Sequence, residues 1–131
     1  MAGLFDGEGC VSVIIRKKKG YEYHQLDMRI NMTAYKVLEA VQSTYGGNLA
    51  ELNRSSAKPH HKRQWQWYCQ GKVALEILKR ILPYSIEKRE QIDLAVRFQT
   101  AHELGLPFDR DRVRRQLKWL KEDTSRVLTR P

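Results

Sequence analysis

The chain has 131 residues, 41% of them hydrophobic and 9% aromatic, which suits one domain with a single core and argues against a disordered chain. No apolar run approaches the roughly 20 residues of a membrane-spanning helix, and no charged-then-apolar leader precedes the first motif. An intracellular protein is expected, in cytoplasm, nucleoid or organelle matrix. Lys and Arg number 24 against 15 Asp and Glu, a net +9 that favours a polyanionic partner: nucleic acid first, anionic membrane second.

The opening Met1-Ala2-Gly3-Leu4-Phe5-Asp6-Gly7 places Met1, Leu4 and Phe5 on one helical face, a short helix that only packing can hold. Residues 10–18 are rich in β-formers and Gly20 marks a turn. In residues 21–33, Leu26, Met28, Ile30 and Met32 alternate with Gln25, Asp27, Arg29 and Asn31. That period of two predicts a strand with one buried and one polar face, and the pair predicts an antiparallel hairpin. Residues 34–45 switch to helical spacing, with Val37, Leu38, Val41 and Tyr45 as the apolar stripe and Gly46-Gly47 as the stop.

A second round follows. Asn48–Asn53 reads as a strand, Arg54–Lys62 as an exposed basic loop, and Arg63–Gln70 as another strand. Gly71 precedes a helix carrying Val73, Ala74, Leu75, Ile77, Leu78, Ile81 and Leu82, stopped by Pro83. Residues 9–45 and 47–82 are therefore each strand–strand–helix. Ser85 is placed to cap a helix over 86–104 that ends at Gly105, and Asp109 to cap a last helix. Val113, Leu117, Leu120 and Val127 form the apolar stripe of that last helix, with Arg110, Arg114, Lys118 and Lys121 on its other faces. The expected fold is α+β, one domain over 1–131: a four-stranded antiparallel sheet with helices on one face, a core over about 1–104, and a C-terminal helical extension over 105–131. Cys10 and Cys69 lack CxxC or Cys/His spacing, so zinc is not expected. Reduced buried thiols are the default, and one disulfide stays open.

Met1–Gly9, MAGLFDGEG, resembles the nine-residue signature of the LAGLIDADG homing endonucleases. Ala2, Gly3, Leu4, Asp6 and Gly9 match it outright, while Phe5, Gly7 and Glu8 are common variants. The segment LPYSIEKREQ (82–91) is similar to the family's closing segment, in which a proline and an aromatic precede a Lys-bearing helix start. The element order also fits the family's αββαββα core, so the resemblance spans about residues 1–100.

The resemblance implies a homodimeric, site-specific DNA endonuclease that hydrolyses phosphodiester bonds in double-stranded DNA, hosted by an intron or intein, with no membrane partner. A chain with one motif pairs with a copy of itself through the motif helix. Ala2, Gly3 and Gly7, lacking bulk, let two such helices approach closely, with Leu4 beside them in the interface. A two-fold axis there brings Glu8 of each subunit together, and two close carboxylates repel unless a divalent cation, Mg²⁺ or Mn²⁺, sits between them. Glu8 is the implied metal ligand, helped by the backbone carbonyl of Gly7. A solvated Glu8 in an Asp-Gly-Glu-Gly turn is the bland alternative. Asp6 is assigned to hydrogen-bonding helix or loop backbone rather than metal. Lys88 matches the family's basic residue near the scissile phosphate, where it would stabilise developing charge. Arg89 and Arg80 compete for that role, and an ordinary exposed helix lysine is the alternative.

Two positions depart from the family. Ala34 stands where relatives often carry Gln to orient water, which leaves Asn31 or bulk solvent for that task. Met1 is the first motif residue, whereas relatives usually carry another turn or two of helix before it.

A sheet with a polar face fits a DNA major groove. Its candidate contacts are Ser12, Arg16 and Lys18 on the first strand, Gln25, Asp27, Arg29 and Asn31 on the second, and Lys62, Gln64 and Gln66 around the fourth. Arg29 suits guanine, Gln25 or Asn31 adenine, and Asp27 a cytosine amino group. A salt bridge from Asp27 to Arg29 or Arg16 is the equal alternative. Trp65 and Trp67 belong to the core rather than to base stacking. Lys17, Lys19, Lys58, Lys62 and Arg63 suit phosphate contacts that set register. His60 and His61 are read as loop residues. Rival readings are a catalytically inactive DNA-binding protein of this family, an RNA maturase with intron RNA as partner, and a basic monomeric structural domain.

Overall fold

Helix α1 (Ala2–Glu8) leads directly into strand β1 (Gly9–Lys18), which pairs antiparallel with β2 (Tyr21–Met32) in a computed structural model of the chain. The hairpin closes through Lys19 and Gly20, both at positive φ (48° and 85°), the backbone that a two-residue turn between right-twisted strands requires. Helix α2 (Tyr35–Tyr45) follows, then β3 (Asn48–Leu52), β4 (Gln64–Gln70), α3 (Gly71–Ile81) and a 3₁₀ turn over Leu82–Tyr84. Helices α4 (Arg89–Glu103) and α5 (Arg110–Thr129) complete the chain. The structure describes residues 1–52 and 63–129, with 123–129 as helical backbone alone. The expected basic loop with Lys58, His60, His61 and Lys62, and the side chain of Val127, lie outside the described residues.

The sheet runs β1-β2-β4-β3, antiparallel at every junction, so the two hairpins meet through their second strands. Register sorts the side chains. Val11 lies opposite Met28, Val13 opposite Leu26, Met28 opposite Cys69 and Ile30 opposite Trp67. All seven are buried on one face. Onto that face pack Phe5 from α1, Leu38 and Val41 from α2, Ala74, Ile77 and Leu78 from α3, Ile92, Ala95 and Phe98 from α4, and Val113 and Leu117 from α5. The expectation of an α+β fold with helices on one face of a four-stranded sheet holds. Each fully buried large apolar side chain in this layer contributes about 1.5–3 kcal/mol.

Local devices fix the joints. Gly46 and Gly47 both have positive φ, and a Cβ on Gly47 would sit 2.8 Å from Nε1 of Trp67. That indole N–H donates to the Gly46 carbonyl at 2.8 Å, tying the end of α2 to β4. Trp67 is fully buried and Trp65 partly so, its ring 4.6 Å from that of Tyr35, which places both tryptophans with the core as expected. Asp109 caps α5, its carboxylate accepting the Arg112 N–H at 3.0 Å.

Three expectations change. Ser85 does not cap a helix starting at 86: α4 begins at Arg89, and the Ser85 hydroxyl donates instead to Asp6 on α1. Val37 is exposed, so the buried stripe of α2 narrows to Leu38 and Val41, with Tyr45 at its margin. The cysteines lie on opposite faces of the sheet, Cys10 opposite Arg29 and Cys69 opposite Met28, and both are free thiols. Cys10 is only partly buried. Burial, with the Asp27 charge nearby, pushes the Cys69 thiol up to about 12, so it stays protonated. No described helix is long and apolar enough to cross a membrane.

Candidate nucleic-acid interface and active site

The side chains that alternate with the core residues form the second face of the sheet. None of the buried core cluster belongs to it. Strand pairing arranges it as rows. Ser12, Asp27 and Gln70 stand in one row across β1, β2 and β4. Cys10, Arg29, Tyr68 and Asn48 form the next, spanning all four strands, and Asn31, Gln66 and Ala50 the one after. Gln25 lies opposite Ile14, Arg16 opposite Tyr23, Lys18 opposite Tyr21, and Gln64 opposite Leu52.

The structure therefore brings Ser12, Arg16, Lys18, Gln25, Asp27, Arg29, Asn31, Gln64 and Gln66 onto one surface. Lys62 is outside the described residues. Several of these side chains are already partnered. Nε of Arg16 donates to the Gln25 side-chain oxygen at 2.5 Å. Asp27 is not displayed: it is 0% exposed, ion-paired with Arg29 through Nε, and accepts from the Gln70 amide at 3.3 Å. Of the two roles open to Asp27, the salt bridge is the one it makes, to Arg29. Arg63 is held by Glu51 at 2.6 and 3.0 Å, and Lys17 pairs with Glu22 at 3.7 Å, both exposed pairs of small net worth.

Tyr68, Gln70 and Asn48 share the polar face and were not among the expected contacts. The signal was present: Gln64, Gln66, Tyr68 and Gln70 continue one alternation, with the aromatic hiding it. Asn48 was harder, since only pairing with Tyr68 assigns its face.

At the end of α1 the motif's two carboxylates have separate fates. The Asp6 carboxylate accepts from the Ser85 hydroxyl, from the Ile86 N–H at 2.8 Å and from the Lys88 N–H at 3.1 Å. These donors lie in the turn before α4, where backbone N–H groups have no helical partner of their own. Burial alone would raise the Asp6 pKa, but the Ile86 amide, the Ser85 hydroxyl and the Lys88 and Glu87 amides outweigh it and hold it below its ordinary value. Asp6 thus bonds loop backbone, as expected from the motif. The Lys88 ammonium, partly buried, donates to the Asp6 carbonyl at 2.5 Å and so stands at the end of α1. Its competitors Arg80 and Arg89 are exposed.

Glu8, the last residue of α1, is exposed, and its carboxylate has no hydrogen-bond partner among the described residues. Gly3 and Gly7 are exposed too, and a Cβ built on either meets nothing within 4 Å. Ala2 and Leu4 differ from them: both are partly buried against the chain's own core, so the open stripe of α1 is narrower than the four residues expected in the interface. Gly9 faces inward, where a Cβ would fall 2.1 Å from the Phe5 ring. Ala34 is exposed at the start of α2 and offers no side-chain cap.

The described residues contain no group of three or more His, Cys, Asp or Glu side chains able to close a metal site within one chain. The donors that are available, the Glu8 carboxylate and the Gly7 carbonyl, are hard oxygens. Mg²⁺ typically takes one or two carboxylates and fills its remaining positions with water and phosphate oxygen. These two oxygens are donors of the kind such an ion takes, though they are fewer than it needs.

The sequence profile of the LAGLIDADG endonuclease family matches residues 1–85, which hold α1, both hairpins and α3. No curated protein sequence matches significantly. Among solved structures, the homing endonuclease I-CvuI in complex with its target in the presence of Ca aligns at TM-score 0.62 and 18% identity, covering 92% of this chain and 91% of that one. I-CvuI with the I-CreI target in the presence of Mg, its DNA not cleaved, aligns at 0.62 and 20%, covering 99% and 80%. The archaeal intron-encoded homing endonuclease I-Vdi141I, complexed with DNA, aligns at 0.61 and 16%, covering 92% and 93%. At these identities the likeness is one of fold, and it extends through the C-terminal helices.

Proposed function

The chain belongs to the LAGLIDADG endonuclease family, and from that premise we propose that it is a site-specific, divalent-metal-dependent DNA endonuclease acting as a homodimer on a pseudo-palindromic target. The observation that carries this reading is the division of labour in the motif: Asp6 is consumed in holding the turn before α4, whereas Glu8 is exposed and unpartnered among the described residues.

Two copies meeting along the open Gly3–Gly7 stripe bring their Glu8 carboxylates to the symmetry axis. Glu8 and the Gly7 carbonyl would hold Mg²⁺ or Mn²⁺, and the bound ion would supply charge neutralisation at the phosphate and a more acidic water. Lys88, anchored on the Asp6 carbonyl, offers its remaining N–H donors to the charge that develops on the phosphoryl oxygens. The uncovered sheet face lies in the major groove, where Arg29, Asn31, Gln25 and Gln66 face base edges and Arg16 and Lys18 the backbone. With Ala34 apolar and exposed, the attacking water is positioned by Asn31 or by solvent structure rather than by a side chain at that site.

The test is selection of cleaved sequences from a random duplex library with Mg²⁺, followed by Glu8→Gln on the selected target. The expected result is loss of cleavage with binding retained, and a dimeric mass by light scattering. Binding without cleavage by the unmodified protein would favour the catalytically inactive reading, whether as a DNA-binding protein or a maturase acting on intron RNA. A monomer that neither binds nor cuts would remove the assignment.

A further inference from the structure

A carboxylate at the centre of a surface offered to phosphates and base edges is out of place electrostatically, and this one is also fully enclosed. Asp27 occupies the middle of the row Ser12–Asp27–Gln70, with its side chain 0% exposed against 40% for its partner Arg29. One carboxylate oxygen takes the Arg29 Nε–H and the other takes the Gln70 amide N–H at 3.3 Å. Asp27 points away from the face carrying Leu26 and Met28.

Resting on the reading of this sheet as the DNA-contacting face, we propose that Asp27 is a positioning residue that sets sequence specificity by aiming Arg29 and Gln70. The geometry supplies the reason. An arginine held through Nε presents its two Nη groups outward as a fork, and these have no other partner among the described residues. That fork matches the O6 and N7 acceptors of guanine. Gln70, with one amide N–H consumed by Asp27, keeps its carbonyl oxygen and remaining N–H without a partner among the described residues. Both side chains are long and rotamer-rich, and a buried anionic hub holds them in one arrangement before DNA arrives, so less ordering is left for the binding step. Asp27 touches no base. It decides which edge of its neighbours does.

Asparagine in its place keeps the volume but not the chemistry. Its single carbonyl oxygen can serve Arg29 or Gln70, while its amide group meets the other donor head-on. The experiment is a binding selection from a randomised duplex library at fixed salt, without a cleavage step, for the unmodified protein, Asp27→Asn and Arg29→Lys. The lysine variant keeps a cation for Asp27 but lacks the planar fork, and it carries the test if Asp27→Asn fails to fold.

In the unmodified protein a guanine preference of about tenfold or more is expected at one base pair of each half-site. Both variants should lose it at that same pair, while Asp27→Asn binds unselected DNA at least as well, having shed a negative charge. A profile that keeps its guanine preference in either variant, or an Asp27→Asn protein that weakens on all sequences alike, would overturn the proposal while leaving the sheet as the reading face. An unmodified protein with no preference at any position would remove the sheet-reading function and this inference with it.

Discussion

Lys88 and Asp6 are joined at two points: the Lys88 ammonium donates to the Asp6 carbonyl oxygen at 2.5 Å, and the Lys88 amide donates to the Asp6 carboxylate at 3.1 Å. These bonds lock the turn before α4 onto α1, two residues from Glu8. A cation and a carboxylate distant in sequence thereby share one end of a short helix. In the proposed mechanism the Lys88 side of this contact serves the chemistry and the Asp6 side serves stability, and the two can be tested separately.

For Lys88, removal of the charge with the stem kept is the informative change. Lys88→Met is expected to lower the single-turnover cleavage rate by about a hundredfold or more, the cost of one donor aimed at developing charge. Affinity for the selected target should change little, since one phosphate contact among many is lost. Rate measured on preassembled complexes, with affinity measured beside it, separates these. An unchanged rate would return Lys88 to the role of a helix lysine.

Asp6 should make stability depend on pH in a defined direction. Its folded pKa lies below its ordinary 3.8, so the stabilisation it confers is fully present above that ordinary value. It is lost as pH falls through the lower folded value. Asp6→Asn leaves hydroxyl and amide donors facing an amide group and should cost about 1–3 kcal/mol near neutral pH. Urea denaturation of both proteins across pH should show the gap closing in acid, below the ordinary carboxylate range. A gap that stays constant through that range would mean the carboxylate charge is not what holds the turn.

Gly9 tests the packing under the motif. A methyl group there lands 2.1 Å from the ring of Phe5, which is fully buried between α1 and the sheet and has nowhere to retreat. Gly9→Ala should destabilise the fold by about 1–3 kcal/mol through overpacking. Its φ of −85° is ordinary, so the cost comes from the ring and not from backbone strain. Gly9→Ala combined with Phe5→Leu, which frees space, should lose less than the sum of the two single changes. Additive losses would place the strain elsewhere.

Much of this molecule is written in local pattern. Period-two alternation in residues 21–32 determined β2 and which side chains face the helices, while Gly20 and the Gly46-Gly47 pair marked the turns. The signature at 1–9 named the motif helix, and Asp109 announced the cap it makes. Such features are legible because they depend on residues a few positions apart, whose directions follow from the backbone alone. Pairing partners were not legible. That Asp27 is enclosed follows from β4 lying beside β2 and putting Gln70 across from it, 43 residues away. That Ser85 serves Asp6 and leaves α4 to start later follows from a contact spanning 79 residues. A side chain's direction is a property of its own strand or helix, but whether its charge is displayed, paired or buried is set by neighbours that only the assembled chain brings close.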